Sequence, residues 1–255
     1  MHIHDFPILE HDPAREAFIE PSRVNAPVPG FPKRVVLCFF QEVIAKVGAN
    51  ASVIKHLVSE VGRFPVVVLQ VKGERMALAH PGVGAAYAAA VLEEMIAFGG
   101  RKFIAVGSAG SLMQAITVGH VVIPTSAIRD EGTSYHYLPP AREVAHQPAG
   151  IAAIEATLAA HDVPFASGKT WTTDGLYRET PARIARRREE GCVTVEMEAA
   201  AFFAVAQFRG VTFGQMLYGG DDLSGETWDM RDFVSGQATQ REKLFWLAAD
   251  ACLRL

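Results

Sequence analysis

Cysteine is scarce in this chain. Three residues, Cys38, Cys192 and Cys252, lie far apart with no C-x-x-C pairing. An odd count without metal spacing excludes a disulfide framework and a cysteine metal site, and points to reduced thiols in the cytoplasm. Histidine offers no HExxH or H-x3–5-H spacing, so no metal is expected. A long apolar run is lacking too: nothing approaches the roughly 18 residues that a membrane span needs. The opening "MHIHDFPILEHDPAREAF" has no basic region followed by an apolar core, which excludes a signal peptide. Positive charge is in deficit, at a formal net charge of −4. A nucleic-acid backbone would need a clustered positive field, so that partner is excluded. The one basic run, "ARIARRREEG", reads as a solvated helix face. Internal repeats, low-complexity tracts and linkers are all missing.

The composition that remains, 49% hydrophobic and 20% charged over 255 residues, is that of a soluble protein with one sizeable core. Residues 1–33 hold Pro7, Pro13, Pro21, Pro27, Pro29 and Pro32. That density fixes backbone dihedrals and removes donors, giving an extended arm with at most a short helix near Pro13 to Ile19. From residue 34 onward, β-branched apolar runs alternate with helical stretches. Strands are expected at 34–40, 64–71, 74–80, 102–108, 120–126, 192–195 and 211–220, and helices at 84–98, 150–161, 180–190, 196–209 and 240–255. Such alternation predicts a single α/β domain over 34–255, a mixed, mostly parallel twisted sheet flanked by helices. Several strands run into glycine, and open α/β sheets bind ligands beyond the carboxyl ends of their strands.

Three of those turns carry candidate chemistry. "HPGVGAAYAAA" places Tyr87 where a dinucleotide fingerprint needs a small residue, so it reads as a turn entering an Ala-rich helix. In "VGSAGSL", Gly107 and Gly110 let backbone approach a ligand, and Ser108 offers a hydroxyl beside the N–H of Ala109. No Lys-Ser/Thr follows, which excludes a nucleoside-triphosphatase loop. "LYGGDDLSGETWDMRD" puts Asp221 and Asp222 after a strand, either as a polar turn or as a pair whose mutual repulsion readies one to donate a proton. In "GCVTVEMEAAAFF", Glu196 and Glu198 stand at the mouth of an apolar helix. The helix dipole accounts for one of them, and the other remains open to a role such as accepting hydrogen bonds from two sugar hydroxyls.

Taken together, "FIAVGSAGSL", "VGHVVIPTSAIRDEGTSYHY" and "GCVTVEMEAAAFF" resemble the nucleoside phosphorylase and nucleosidase family, closest to its uridine phosphorylase-like branch. The resemblance runs from about residue 34 to 220. It implies a mixed-sheet α/β fold, assembly into homo-oligomers (dimers or hexamers), and cleavage of the N-glycosidic bond of a nucleoside with phosphate as co-substrate and no other cofactor. By position it implies that Met197 packs on the ribose, Glu198 accepts from its 2′- and 3′-hydroxyls, and Glu196 supports them. Asp221 matches the acid that protonates the departing base, with Asp222 as the alternative. Ser108, with Gly107 and Ala109, matches the phosphate or water site. In "TTDGLYRE", Leu176, Tyr177 and Arg178 match the segment at the base, and Glu179 is near enough to help recognise it. His4 is the candidate for a histidine that reaches a second subunit's ribose.

The chain also departs from that pattern. Phosphorolytic members carry Gly-Asp-Pro and an arginine after the first strand, where this chain reads "CFFQEVIAKV". They carry another arginine two residues before the glycine of the "GSAG" turn, where this chain has Ala105. Lost guanidiniums remove bidentate contacts that hydroxyls replace poorly. Glu42 falls where hydrolytic members hold the carboxylate that orients water, and it equally suits a first-turn helix acid. Positions near Thr180 and Ala182 lack the residues that grip uracil. Arg23, Lys33, Arg34 and Arg129 are the candidate substitutes for the missing arginines.

Overall fold

The computed structural model describes residues 3–116, 118–231 and 238–255; His2 and Asp232 lie outside them. In chain order the elements are α1 (Pro21–Val24), β1 (Arg34–Cys38), α2 (Gln41–Val47), β2 (Ser52–Ser59), β3 (Gly62–Val71), β4 (Glu74–Ala79) and α3 (Ala85–Phe98). They continue with β5 (Lys102–Ser111), β6 (Val121–Asp130), β7 (Glu143–Ala145), α4 (Pro148–Ala160), β8 (Phe165–Thr173) and α5 (Pro181–Glu189). The chain then closes with β9 (Cys192–Glu196), α6 (Ala199–Arg209), β10 (Thr212–Asp222) and α7 (Ala238–Arg254).

Parallel neighbours on both sides explain why "RVVLC" is apolar without alternation. β1 lies between β4 and β5, and Val35 to Cys38 are all buried. β5 is the hinge of the sheet. Its first half pairs with β1, β10 runs along nearly its whole length, and Gly110 and Ser111 pair with β9. Because β10 also pairs with β6, β6 with β8, and β8 with β9, the strands β5, β10, β6, β8 and β9 close on themselves. β1, β4, β3 and β2 extend from that ring as an open wing. The mixed α/β domain is therefore part barrel and part open sheet. α3 and α6 cover one face over Phe103, Phe202 and Phe213, while α4 and α7 cover the other over Ile104, Met216 and Phe245.

Several elements differ from expectation. β2 escapes the sequence because it is an exposed edge strand, "SVIKHLVS", whose polar residues suit an unpaired edge. β8, "FASGKTWTT", has few apolar residues until it becomes buried at Thr170, and parallel pairing to β6 and β9 holds it. β7 is three residues long and has no pattern to read, and α2 was anticipated only as a helix whose first turn would hold Glu42. α6 begins at Ala199, three residues later than expected, because Glu196 finishes a strand. The arm forms no helix over Pro13–Ile19; it has instead a 3-10 turn at Pro7–Leu9 and one helical turn at α1. It is pinned by buried charge. Arg209, at the end of α6, bridges Glu20 of the arm at 3.3 Å and Glu93 of α3 at 2.8 Å. In "ARIARRREEG" most arginines face solvent, but Arg187 is buried, paired with Asp130 at 3.1 Å and Glu190 at 2.9 Å.

Candidate active site

The two glutamates separate by role within three residues. Glu196 ends β9 fully inside the protein, and its Oε2 accepts the N–H groups of Glu198 at 2.7 Å and Ala199 at 2.6 Å. Its Oε1 accepts the hydroxyl of Thr172 at 2.6 Å. It thus caps the otherwise open start of α6, the part of the helix-entrance reading that the dipole could explain. Glu198 occupies the N-cap position itself, with φ −137° and ψ −26°, and its carboxylate turns away from the helix. Oε1 accepts the N–H of Gly84 at 2.6 Å. Gly84 has φ +93°, a left-handed conformation costly for any other residue, so the "HPGVG" turn is built to aim that N–H. The sequence showed Gly84 only as a turn. Gly82 is filled by the Tyr87 ring, which removes the dinucleotide reading.

Burial raises the pKa of both acids. In Glu198 the neighbouring charge of Glu196 adds to the rise, whereas in Glu196 Thr172 and the two N–H donors oppose it. In Glu198 the Gly84 N–H likewise opposes the rise. No side chain donates to Glu198 among the described residues, so its acceptor capacity is left for a ligand. Met197 lies half-buried between them.

Asp221 and Asp222 also divide. Burial works against ionised Asp222, but the Ser224 hydroxyl and N–H and the Arg231 guanidinium hold it below its ordinary value. Repulsion between the neighbours does not control it, and its carboxylate is spent on closing the 222–231 loop. Asp221 accepts the indole N–H of Trp228 at 2.7 Å and sits against Gly110. Across from it, Glu179 has neither a hydrogen bond nor an ion pair among the described residues. Burial, then the charge of Asp221, push it up to about 7. Leu176, Tyr177 and Arg178 form an exposed 3-10 turn just before Glu179, with Tyr177 94% accessible. A planar ligand held at Asp221 would have this turn beside it.

On the acceptor side the structure corrects the glycine reading. A Cβ at Gly107 would stand 2.8 Å from the ring of Phe39, and one at Gly110 would stand 2.5 Å from Leu223. Those glycines admit the chain's own side chains. Phe39 also meets His80 at 5.9 Å and Phe202 at 6.4 Å. Ser108 is half-buried with no side-chain partner among the described residues, and Ala109 is buried beside it. Glu42, in the first turn of α2, pairs with Arg241 of α7 at 3.0 Å. The candidate cations fall elsewhere. Arg129 is buried and bonded to Ser134, Pro139 and Leu138. Arg34 and Lys33 sit at the opposite, amino end of β1, with Arg34 facing Glu74, and Arg23 pairs with Glu16 on the arm. His4 is exposed on the arm, bonded to Phe6 and Glu10. The cavity of about 480 Å³ between β3 and α7, lined by Val71, His161 and Trp246, is remote from these strand ends.

Phe39, His80 and Glu198 thus follow the carboxyl ends of β1, β4 and β9, and Ser108 and Asp221 stand in the carboxyl-terminal halves of β5 and β10, at the end of the sheet where α/β folds hold ligands. A sequence profile described as the phosphorylase superfamily matches residues 33–253. The chain belongs to that superfamily.

Among curated superfamily members, guanosine phosphorylase of Halorubrum lacusprofundi is 26% identical over 164 residues, 62% of this chain and 66% of that protein. Uridine phosphorylase of Thermococcus kodakarensis is 31% identical over 162 residues, 56% of each chain. The matched stretches thus span between half and two thirds of these relatives. Purine nucleoside phosphorylase from Toxoplasma gondii, in complex with immucillin-H, superimposes with a TM-score of 0.76 over 89% of this chain and 93% of that one, at 19% identity. AMP nucleosidase from Bacteroides thetaiotaomicron gives 0.71 over 88% of each chain at 20% identity. At such identities the structural likeness is one of fold.

Proposed function

We propose that the protein cleaves the N-glycosidic bond of a nucleoside and transfers the pentosyl group to phosphate, with no other cofactor. The observation that carries the reading is the division of labour at 196–198. One glutamate is consumed in capping α6, so the next is delivered buried, anchored by one oxygen on Gly84 and able to accept sugar hydroxyls. Glycosidic cleavage passes through an oxocarbenium-like state, and hydrogen bonds to the 2′-hydroxyl strengthen as charge develops. Glu198 stabilises that charge electrostatically. Asp221 delivers a proton or hydrogen bond to the departing base. Leu176 and Tyr177 flank the base, and Arg178 and Glu179 contact its edge. Ser108, with the N–H groups around Gly107 and Ala109, meets the acceptor.

A second reading, transfer to water oriented by Glu42, is favoured by Ala105 and by the Phe39 ring over Gly107. Free base followed by chromatography across purine and pyrimidine nucleosides, with and without phosphate, separates the two. Phosphate-dependent release is expected. Equal release without phosphate selects water, and no release from any nucleoside removes both readings.

The proposed assembly is a homo-oligomer. It is supported by apolar residues left in solvent on the arm (Phe18, Ile19, Val24) and on the β2–β3 hairpin (Val58, Val61).

Glu179 gives a separate expectation. Its pKa is raised on folding, so the folded state binds that proton more tightly than the unfolded chain. Its contribution is present at low pH and is lost as pH rises through about 7. Glu179→Gln is therefore expected to raise Tm relative to the parent at alkaline pH and to leave it nearly equal in mild acid. A Tm difference independent of pH would remove the raised carboxyl, whose first cause is burial and second the charge of Asp221.

A further inference from the structure

The superfamily resemblance leaves the acceptor side without its two expected arginines, and none of the four cations considered from sequence replaces them. One arginine does reach that end of the sheet, from the far end of the chain. Arg241 in the first turn of α7 donates from Nε to the hydroxyl of Tyr218 at 3.0 Å and from Nη1 to Glu42 at 3.0 Å, with its Cζ 5.3 Å from the centroid of the Phe40 ring. Tyr218 is the register partner of Ser108 in the parallel β10–β5 pair. Register partners in a parallel pair project to the same face, so Arg241 stands over the side of the sheet that carries the Ser108 hydroxyl.

We infer that Arg241 is the anion-holding residue of the acceptor side, and that the carboxylate of Glu42 occupies its guanidinium until an inorganic oxyanion takes that place. Three contacts from β10, α2 and the Phe40 ring fix the guanidinium plane, as a specific anion site requires. Tyr218 and Glu42 are not equivalent as partners. Tyr218 is fully buried and permanent, whereas the Glu42 side chain is 44% exposed on the first turn of a short helix and can swing into water. Glu42 meets the guanidinium through one oxygen on Nη1, a contact that a phosphate oxygen can make in its place. Glu42 is then a competitor for the site. Its position after β1 matches the water-orienting carboxylate of hydrolytic members, but its bond to Arg241 assigns it a different task.

This rests on the proposal that phosphate is the acceptor, and the two are tested by different measurements. Inorganic phosphate is titrated calorimetrically into the parent protein, Arg241→Met, Arg241→Lys and Glu42→Gln, with circular dichroism checking the fold of each. Expected are binding by the parent, at least about tenfold weaker binding by Arg241→Met, an intermediate loss in Arg241→Lys, and binding at least about threefold tighter in Glu42→Gln, where the competitor is gone. Should Arg241→Met not fold, the Arg241→Lys loss decides. A parent that does not bind phosphate, or an affinity that Arg241 substitutions leave unchanged, overturns the site. Unchanged or weaker binding in Glu42→Gln overturns the displacement. Nucleoside cleavage that ignores phosphate, in a protein whose phosphate binding still depends on Arg241, sinks phosphorolysis and leaves the anion site standing.

Discussion

Glu198→Gln is expected to lower kcat/KM for a nucleoside at least about tenfold near pH 9, on the order of 1.4 kcal/mol of transition-state stabilisation. Glutamine can still accept the N–H of Gly84 through its carbonyl oxygen, so the start of α6 and the "HPGVG" turn stay in place. What disappears is the negative charge beneath a sugar ring that becomes cationic as the glycosidic bond breaks. The loss belongs to kcat more than to KM, because the interaction strengthens only as that cation forms.

The effect carries its own pH signature. Burial and the Glu196 charge raise the carboxyl of Glu198, so in mild acid the parent holds a neutral acid there and differs little from the amide. The ratio of parent to variant activity should therefore shrink from about pH 9 to about pH 6. Stability runs the other way. An acid whose pKa rises on folding stabilises the fold only while protonated, so the variant should be relatively more stable at alkaline pH, where its activity deficit is greatest. An activity gap that tracks loss of folded protein, or one that is constant with pH, would falsify the electrostatic role of Glu198.

Glu196 marks how far sequence reasoning could go. Helix electrostatics predicted an acid serving the start of α6 but could not say which of the two it was, because the helix was expected from residue 196, three residues before it begins. The structure resolves this with a strand ending at Glu196 and a helix starting at Ala199. β1 and α6 were legible because their burial is nearly continuous and their residue types are unmixed, and α3 because its alanine-rich run is long. β2 and β8 were not, since an edge strand and a strand that is polar for half its length are fixed by their neighbours' hydrogen bonds rather than by their own pattern. The same limit applies to the site. Glu198 and Asp221 lie at strand ends and Ser108 in the carboxyl-terminal half of β5, where glycine and acid mark the approach to the turn. Arg241 is 199 positions from Glu42, and nothing local in "ATQREKLFW" separates it from a solvent-facing helix arginine. Phe39 over Gly107 was equally hidden, because a glycine that admits a ligand and one that admits a phenyl ring read alike in sequence.

Asp221→Asn is expected to cost on the order of 10²–10⁴-fold in kcat with an ordinary purine nucleoside, the range for removing a positioned general acid. The asparagine carbonyl keeps the contact with the Trp228 indole, and Asp222 continues to close the loop through Arg231, so the surrounding geometry is preserved. The amide cannot release a proton to the base. A nucleoside whose base is alkylated at N7 distinguishes this from general damage, because that base is already cationic and departs neutral without needing a proton. With such a substrate the variant should fall within about tenfold of the parent, while Glu198→Gln remains impaired with both substrates because the sugar cation forms in each case. Equal losses of Asp221→Asn on the two substrates would show that Asp221 orients the base or supports the loop. The proton would then have to come from Glu179, the other carboxyl at that end of the site and one poised near neutrality.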